Sequence, residues 1–153
     1  QTKAQLIEDI VISLGGRAAE ELVLGEVSTG AYSDLKHANG IARDMITKYG
    51  MSEQLENLFF GDDNDEIFLG KSYGHAKNFS EEMSSKIDVE VKKIIDGAYD
   101  RIKSILNDNM QRVHDVAQAL LEKERLEGFE FEKIFNEGYV SEKKEEEKDD
   151  AKA

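Results

Sequence analysis

The stretch SEEMSSKIDVEVKKIIDGAYDRIKSIL, from Ser80 to Leu106, carries apolar residues at intervals of three and four positions. That spacing places them on one face of an α-helix of about seven turns. Ser80 followed by Glu81 and Glu82 is typical of a helix start, because acidic side chains complement the helix dipole there. The chain contains no Pro, the strongest helix breaker. This stretch therefore predicts a long amphipathic helix whose apolar face carries Ile87, Val91, Ile94, Ile95, Ala98, Ile102, Ile105 and Leu106.

Helical spacing continues on both sides of this stretch. Residues 2–24 predict one helix, interrupted at Gly15-Gly16, and we attribute the two glycines to the close approach of a neighbouring helix. Ser33 is expected to cap a second helix that runs to about Lys48. Beyond the break at 107–109, two further amphipathic segments predict another helix and a short last one after Gly128. The fold class is predicted to be all-α.

Two segments do not fit the helical pattern. Apolar runs at 58–60 and 67–69 flank an acidic turn, which predicts a small irregular or β-hairpin insert around 55–75. From Gly138 the chain turns to Glu, Lys and Asp with no apolar period, which is typical of disorder. We therefore predict a helical domain over 1–137 and a charged, disordered tail over 138–153.

The composition excludes several kinds of partner and site. The 153 residues include 33 Asp and Glu against 20 Lys and Arg, a net charge of −13, so a nucleic acid partner is not expected. No Cys is present, which excludes disulfides, thiolate zinc sites and cysteine nucleophiles. No apolar run approaches the length of about 18–20 residues that a membrane-spanning helix needs, and the chain as given is expected to be soluble.

Histidines and acids provide few local site patterns. His37, His75 and His114 form no His-x-x-x-His pair, so local spacing does not complete a metal site. Asp34 and His37 lie one helical turn apart, a spacing compatible with a shared metal and equally with a solvated helix edge.

The pair Glu20-Glu21 is more informative, because one of its carboxylates must lean toward the apolar face of its helix. A carboxylate there needs a metal, a ligating His or a cation as partner. The cation would be Arg17 or Arg43. On the residues alone, an ion pair and a functional contact stay equally open.

Several motifs in a fixed order resemble the peptidase domain of the FtsH family, membrane-anchored, ATP-dependent zinc metalloproteases of the M41 type. The two that carry most of the likeness are LGGRAAEEL at 14–22 and STGAYSDL at 28–35. The resemblance runs from about residue 6 to 135, through IARDM at 41–45, YGMS at 49–52, FLGK at 68–71, IDVEV at 87–91 and LLEKE at 120–124.

The resemblance implies a metal site. In that family two His of a His-Glu-x-x-His helix and one Asp hold zinc, and the matching Asp is Asp34. The Glu of that motif is the general base that takes a proton from the zinc-bound water. Glu20 is expected to lie near the metal and to accept a hydrogen bond from a ligating His. These expectations are carried over from the family and are not set by spacing.

The His-Glu-x-x-His helix, with the general base, is not in this chain; in the family it precedes the position of Gln1. We therefore expect a C-terminal fragment that neither holds a tight catalytic zinc nor cleaves peptides alone. The resemblance implies a parent with an AAA+ module for ATP and Mg, a transmembrane anchor and a homohexameric assembly. That parent would degrade unfolded and membrane proteins processively at the cytoplasmic face of the cell membrane.

Two alternatives stay open beside the metalloendopeptidase. If the residues of its catalytic helix are substituted, the parent is a pseudo-protease, that is, a binding or assembly module without zinc chemistry. Alternatively, the chain is a free-standing helical adaptor whose long amphipathic helix binds a partner.

Overall fold

A computed structural model describes residues 1–55, 58, 60 and 80–141. The predicted insert around 55–75 falls almost entirely outside the described residues, as do His75 and the tail beyond Ser141. Within the described ranges the chain is helical without strands, which confirms the all-α prediction. Its elements are α1 (Lys3–Ser13), α2 (Gly15–Leu24), a 3-10 turn (Thr29–Ala31), α3 (Tyr32–Thr47), α4 (Glu81–Asp108), α5 (Met110–Lys123) and α6 (Gly128–Glu137).

The helix predicted over 2–24 is two helices that meet at Leu14. Thr2 starts α1 with a capping box, in which its hydroxyl accepts from the Gln5 N–H. A β-carbon on Gly15 would lie 4.0 Å from the Ile102 side chain, and none of the described atoms lies within 4 Å of one on Gly16. These are ordinary distances, so close helix approach does not require either glycine, and that part of the prediction was wrong.

The chain divides into two compact units, Gln1–Ser104 and Ile105–Ala153. In the first unit α1 packs on α3, and α4 covers them with the apolar face that its sequence predicts. Ile10, Met45 and Ala38 are fully buried there. This core holds α1, α3 and α4 together.

The second unit is a hairpin of α5 and α6. Ala119 and Ile134 are its buried apolar residues, and Glu127 and Glu130 form a capping box at the start of α6. Residues 138–141 follow α6 and lie against α5, where the Tyr139 hydroxyl donates to the Glu122 carboxylate at 2.7 Å. Disorder of the chain beyond Ser141 stays a prediction.

None of the helices over the described ranges is long and apolar enough to span a bilayer.

Candidate metal site around Asp34

A short turn leads from α2 into α3. Ser28 has an extended backbone, and its hydroxyl accepts a hydrogen bond from the Gly30 N–H at 3.1 Å. Residues 25–30 are exposed, whereas Ala31 is buried. The turn runs directly into α3, whose N-cap is Ala31. Ser33, predicted as that cap, is instead the second residue of α3, which begins without a side-chain capping hydrogen bond; the Ser28 hydroxyl caps the preceding 3-10 turn.

Asp34 is the third residue of α3 and is exposed. An acid in the first turn is favourable because it complements the positive end of the helix dipole. His37 is one turn further along and is exposed too. Neither side chain forms a hydrogen bond or ion pair with the part of the chain that the structure describes. The Asp34 carboxylate is therefore open to an external ligand.

Glu20, on α2, faces the turn that precedes Asp34. Its carboxylate accepts the Ser28 backbone N–H at 3.0 Å and the Ser28 hydroxyl at 3.0 and 3.1 Å. The backbone N–H, followed by the hydroxyl, lowers the pKa of Glu20 below its usual value, because both donors stabilise the ionised form. The carboxylate is thus ionised near neutral pH and bound to the turn.

Glu21 points to α4 instead. It accepts hydrogen bonds from the Tyr99 hydroxyl and, at 3.1 Å, from the Lys103 ammonium. Tyr99 first, and then Lys103, lowers the pKa of Glu21. The cation that donates a hydrogen bond to this carboxylate is therefore Lys103. Of the two cations that the sequence offered, Arg17 also lowers the pKa of Glu21 through its charge, whereas Arg43 pairs with Asp88 at 3.3 Å.

The donor set around Asp34 is incomplete for zinc. A hydrolytic zinc site takes three protein ligands and keeps one position open for water. Across residues 1–55 and 80–141, no three His, Asp or Glu side chains come close enough to hold a metal ion. The described residues thus contribute one open carboxylate toward zinc, and no catalytic step through the metal is derived from them.

A comparison with protein families shows to which family the chain belongs. The model of Peptidase family M41 matches residues 1–134. The chain belongs to peptidase family M41. It is 58% identical over 134 residues to a protein named ATP-dependent zinc metalloprotease FtsH from Ruminiclostridium cellulolyticum, which covers 88% of the chain and 22% of that relative.

Other M41 relatives carry the same name. The protein from Veillonella parvula is 44% identical over 147 residues, or 96% of this chain and 23% of the relative. The protein from Bacillus subtilis is 41% identical over 144 residues, which covers 94% of this chain and 23% of the relative. The chain thus spans less than a quarter of the length of these relatives.

Three residues of this M41 chain that donate hydrogen bonds to Glu20 or Glu21 were not found from its sequence. Tyr99 and Lys103 lie 78 and 82 positions from Glu21, and nothing in either local pattern points to the other. Ser28 had a usable signal, because Ser before a Thr-Gly turn is a preferred capping residue.

Proposed function

We propose that this chain is the part of an ATP-dependent zinc metalloendopeptidase that supplies the carboxylate ligand Asp34. The observation that supports this is an exposed carboxylate at the start of α3, with no hydrogen bond or ion pair to the described residues, in a chain of family M41. The two His ligands and the general base would come from a His-Glu-x-x-His segment outside this chain. Zinc bound by that complete set would lower the pKa of a water molecule and so supply a hydroxide nucleophile.

This chain's own residues would prepare that centre. Asp34 would offer an oxygen from a rigid helix end, and an anionic ligand there is compatible with the helix dipole. Glu20 would accept the ring N–H of a ligating imidazole and so orient it. A carboxylate has about four acceptor positions, and the three contacts from Ser28 leave room for one more donor.

The names of the relatives support an ATP-dependent zinc metalloprotease as the activity of the whole protein, and the resemblance to the FtsH family extends this to a wider proposal for the whole protein. It would be a membrane-anchored homohexamer whose AAA+ module binds ATP and Mg and feeds unfolded or membrane proteins to the peptidase. The part described above would lie on the cytoplasmic side of the membrane.

Asp34→Ala in the full-length protein tests the metal role. We expect loss of bound zinc and of cleavage of an unfolded protein such as casein, with ATP hydrolysis retained. Asp100→Ala is the matched control, because Asp100 is likewise an exposed acid on a helix. Unchanged zinc content and cleavage in Asp34→Ala would contradict the role of Asp34 as a metal ligand. Absence of both zinc and cleavage in the unaltered full-length protein would instead favour a binding or assembly module without zinc chemistry.

The 153-residue chain by itself is a second test. Because the described residues offer one open carboxylate, we expect neither stoichiometric zinc at nanomolar affinity nor casein cleavage. Tight zinc binding that is lost in Asp34→Ala would show that this chain holds a complete site.

A further inference from the structure

We propose that Ser28 is a positioning residue for Asp34, and that it acts by fastening the turn before α3 to the Glu20 carboxylate. This inference rests on the proposed role of Asp34 as a metal ligand. It assigns to Glu20 a task besides the orientation of a ligating His, and it adds a residue that has no direct contact with the metal.

The Ser28 hydroxyl lies at the centre of a small hydrogen-bond network. It donates to Glu20, at 3.0 Å from Oε1 and 3.1 Å from Oε2, and it accepts the Gly30 N–H at 3.1 Å. The Ser28 backbone N–H donates to Glu20 Oε2 at 3.0 Å. The Ser28 side chain therefore links Glu20 of α2 to the Gly30 N–H, in the turn that continues into α3.

Few other contacts from the part of the chain that the structure describes hold this turn. Residues 25–30 are exposed, and Ala31 is the first buried residue after α2. A segment that buries so little apolar surface depends on hydrogen bonds for its conformation. Because Asp34 is only six positions after Ser28, a shift of the turn would move the start of α3 and the carboxylate with it.

The other end of the network is fixed. Ala18 of α2 is fully buried, and Glu21 ties the same helix to Tyr99 and Lys103 of α4. Glu20 is thus presented by a helix that is anchored on both sides. Only such a rigid support lets a hydrogen bond to Ser28 define the position of the turn.

Threonine and valine at position 28 separate the hydroxyl from the shape of the side chain. The two are close in size and both suit the extended backbone of Ser28, but only Thr keeps the donor and acceptor. In the zinc-loaded full-length protein we expect Ser28→Val to weaken zinc affinity and lower kcat by roughly tenfold or more, as loss of an outer hydrogen bond does in metal sites. Ser28→Thr should retain both within a factor of about two.

Zinc affinity is measured by competition with a fluorescent chelator, kcat and KM with an unfolded peptide, and folding by ATP hydrolysis. Ser33→Ala is the control, because Ser33 lies beside Asp34 and is exposed. Equal zinc affinity and kcat in Ser28→Val and Ser28→Thr would overturn the inference. If Asp34→Ala abolishes zinc binding while Ser28→Val does not weaken it, only the positioning role fails; if Asp34→Ala is also without effect, the proposed function fails.

Discussion

Gly138 ends α6 in a backbone conformation that side chains avoid, with φ of 88° and ψ of 176°. A β-carbon there would lie 2.8 Å from Arg112 Nη1 and 3.4 Å from Asp115 Oδ2. These two side chains pair with each other at 3.0 Å, so the Arg112 guanidinium would have to shift within this pair, in addition to the backbone strain of the positive φ. We expect Gly138→Ala to lower the free energy of unfolding by about 1–3 kcal/mol, measured by urea denaturation of the 153-residue chain.

Gly97→Ala is the matched control for this substitution. Gly97 lies inside α4, and none of the described atoms comes within 4 Å of a β-carbon there. Alanine in a helix interior is favoured over glycine by about 1 kcal/mol, so this variant should gain stability. A Gly138→Ala variant that gains as much would contradict the structural assignment of Gly138.

Side-chain partners were the least predictable feature at the scale of single residues. The pattern around Glu20-Glu21 correctly required that a carboxylate find a partner, but it did not identify Ser28 for one or Lys103 for the other. Lys103 is brought near by packing of α2 on α4, which no local pattern encodes. The roles of Asp34 and Glu20 at a metal stay predictions.

Helix α1 provides a direct test of packing at the scale of an element. Ile10 is fully buried between α1 and α3, whereas Ile12 on the same helix is 73% exposed. Ile10→Ala should destabilise the chain by about 2–5 kcal/mol, because it removes buried apolar surface and leaves a cavity.

Ile12→Ala is the control with the same chemistry on the opposite face. We expect a change within about 0.5 kcal/mol, as for most surface substitutions. Thermal or urea unfolding of both variants in parallel gives the comparison. Similar losses in the two would mean that α1 presents another face to the core.

Most helices were predictable from sequence because the apolar residues of an amphipathic helix recur every three or four positions. The break between α4 and α5 at Asn109 and the start of α6 at Gly128 agree with the sequence. The division of 2–24 at Leu14 was not predicted as two helices. The apolar spacing continues across Leu14, so periodicity alone did not show that the backbone hydrogen bonds change there.

For the whole molecule, ionised carboxylates link stability to pH. The pKa values of Glu20, Glu21 and Glu53 lie below the usual 4.5, and that of Asp115 lies below 3.8. Ser28, Tyr99, Lys93 and Gln111 are their respective principal donors, and each favours the ionised form. The folded chain therefore binds these protons more weakly than the unfolded chain does. This stability is present above pH 4.5 and is lost as the pH falls through the lower, folded values.

We expect the free energy of unfolding to change little or rise slightly from pH 7 to the pI near 4.7, as repulsion from the net charge of −13 declines. Below pH 4.5 it should fall, because the unfolded chain binds these protons more strongly than the folded chain does. Urea denaturation at a series of pH values from 7 to 3 measures this profile. Glu21→Gln should flatten the acid limb, because that position no longer titrates; a stability that keeps rising below pH 4 would contradict the lowered pKa values.

The sequence by itself determined which segments of this protein are helical, which face of each is apolar, and the family to which the chain belongs. These properties depend on neighbouring residues and on motifs read in order. Only the tertiary structure decided that Glu20 holds Ser28, that Glu21 holds Lys103, and that Asp34 stands exposed at the end of a fastened turn. Glu21 and Lys103 lie 82 positions apart and meet only through the tertiary fold. Glu20 and Ser28 are eight positions apart, but one lies on α2 and the other in the turn that follows it, so no helical period links them.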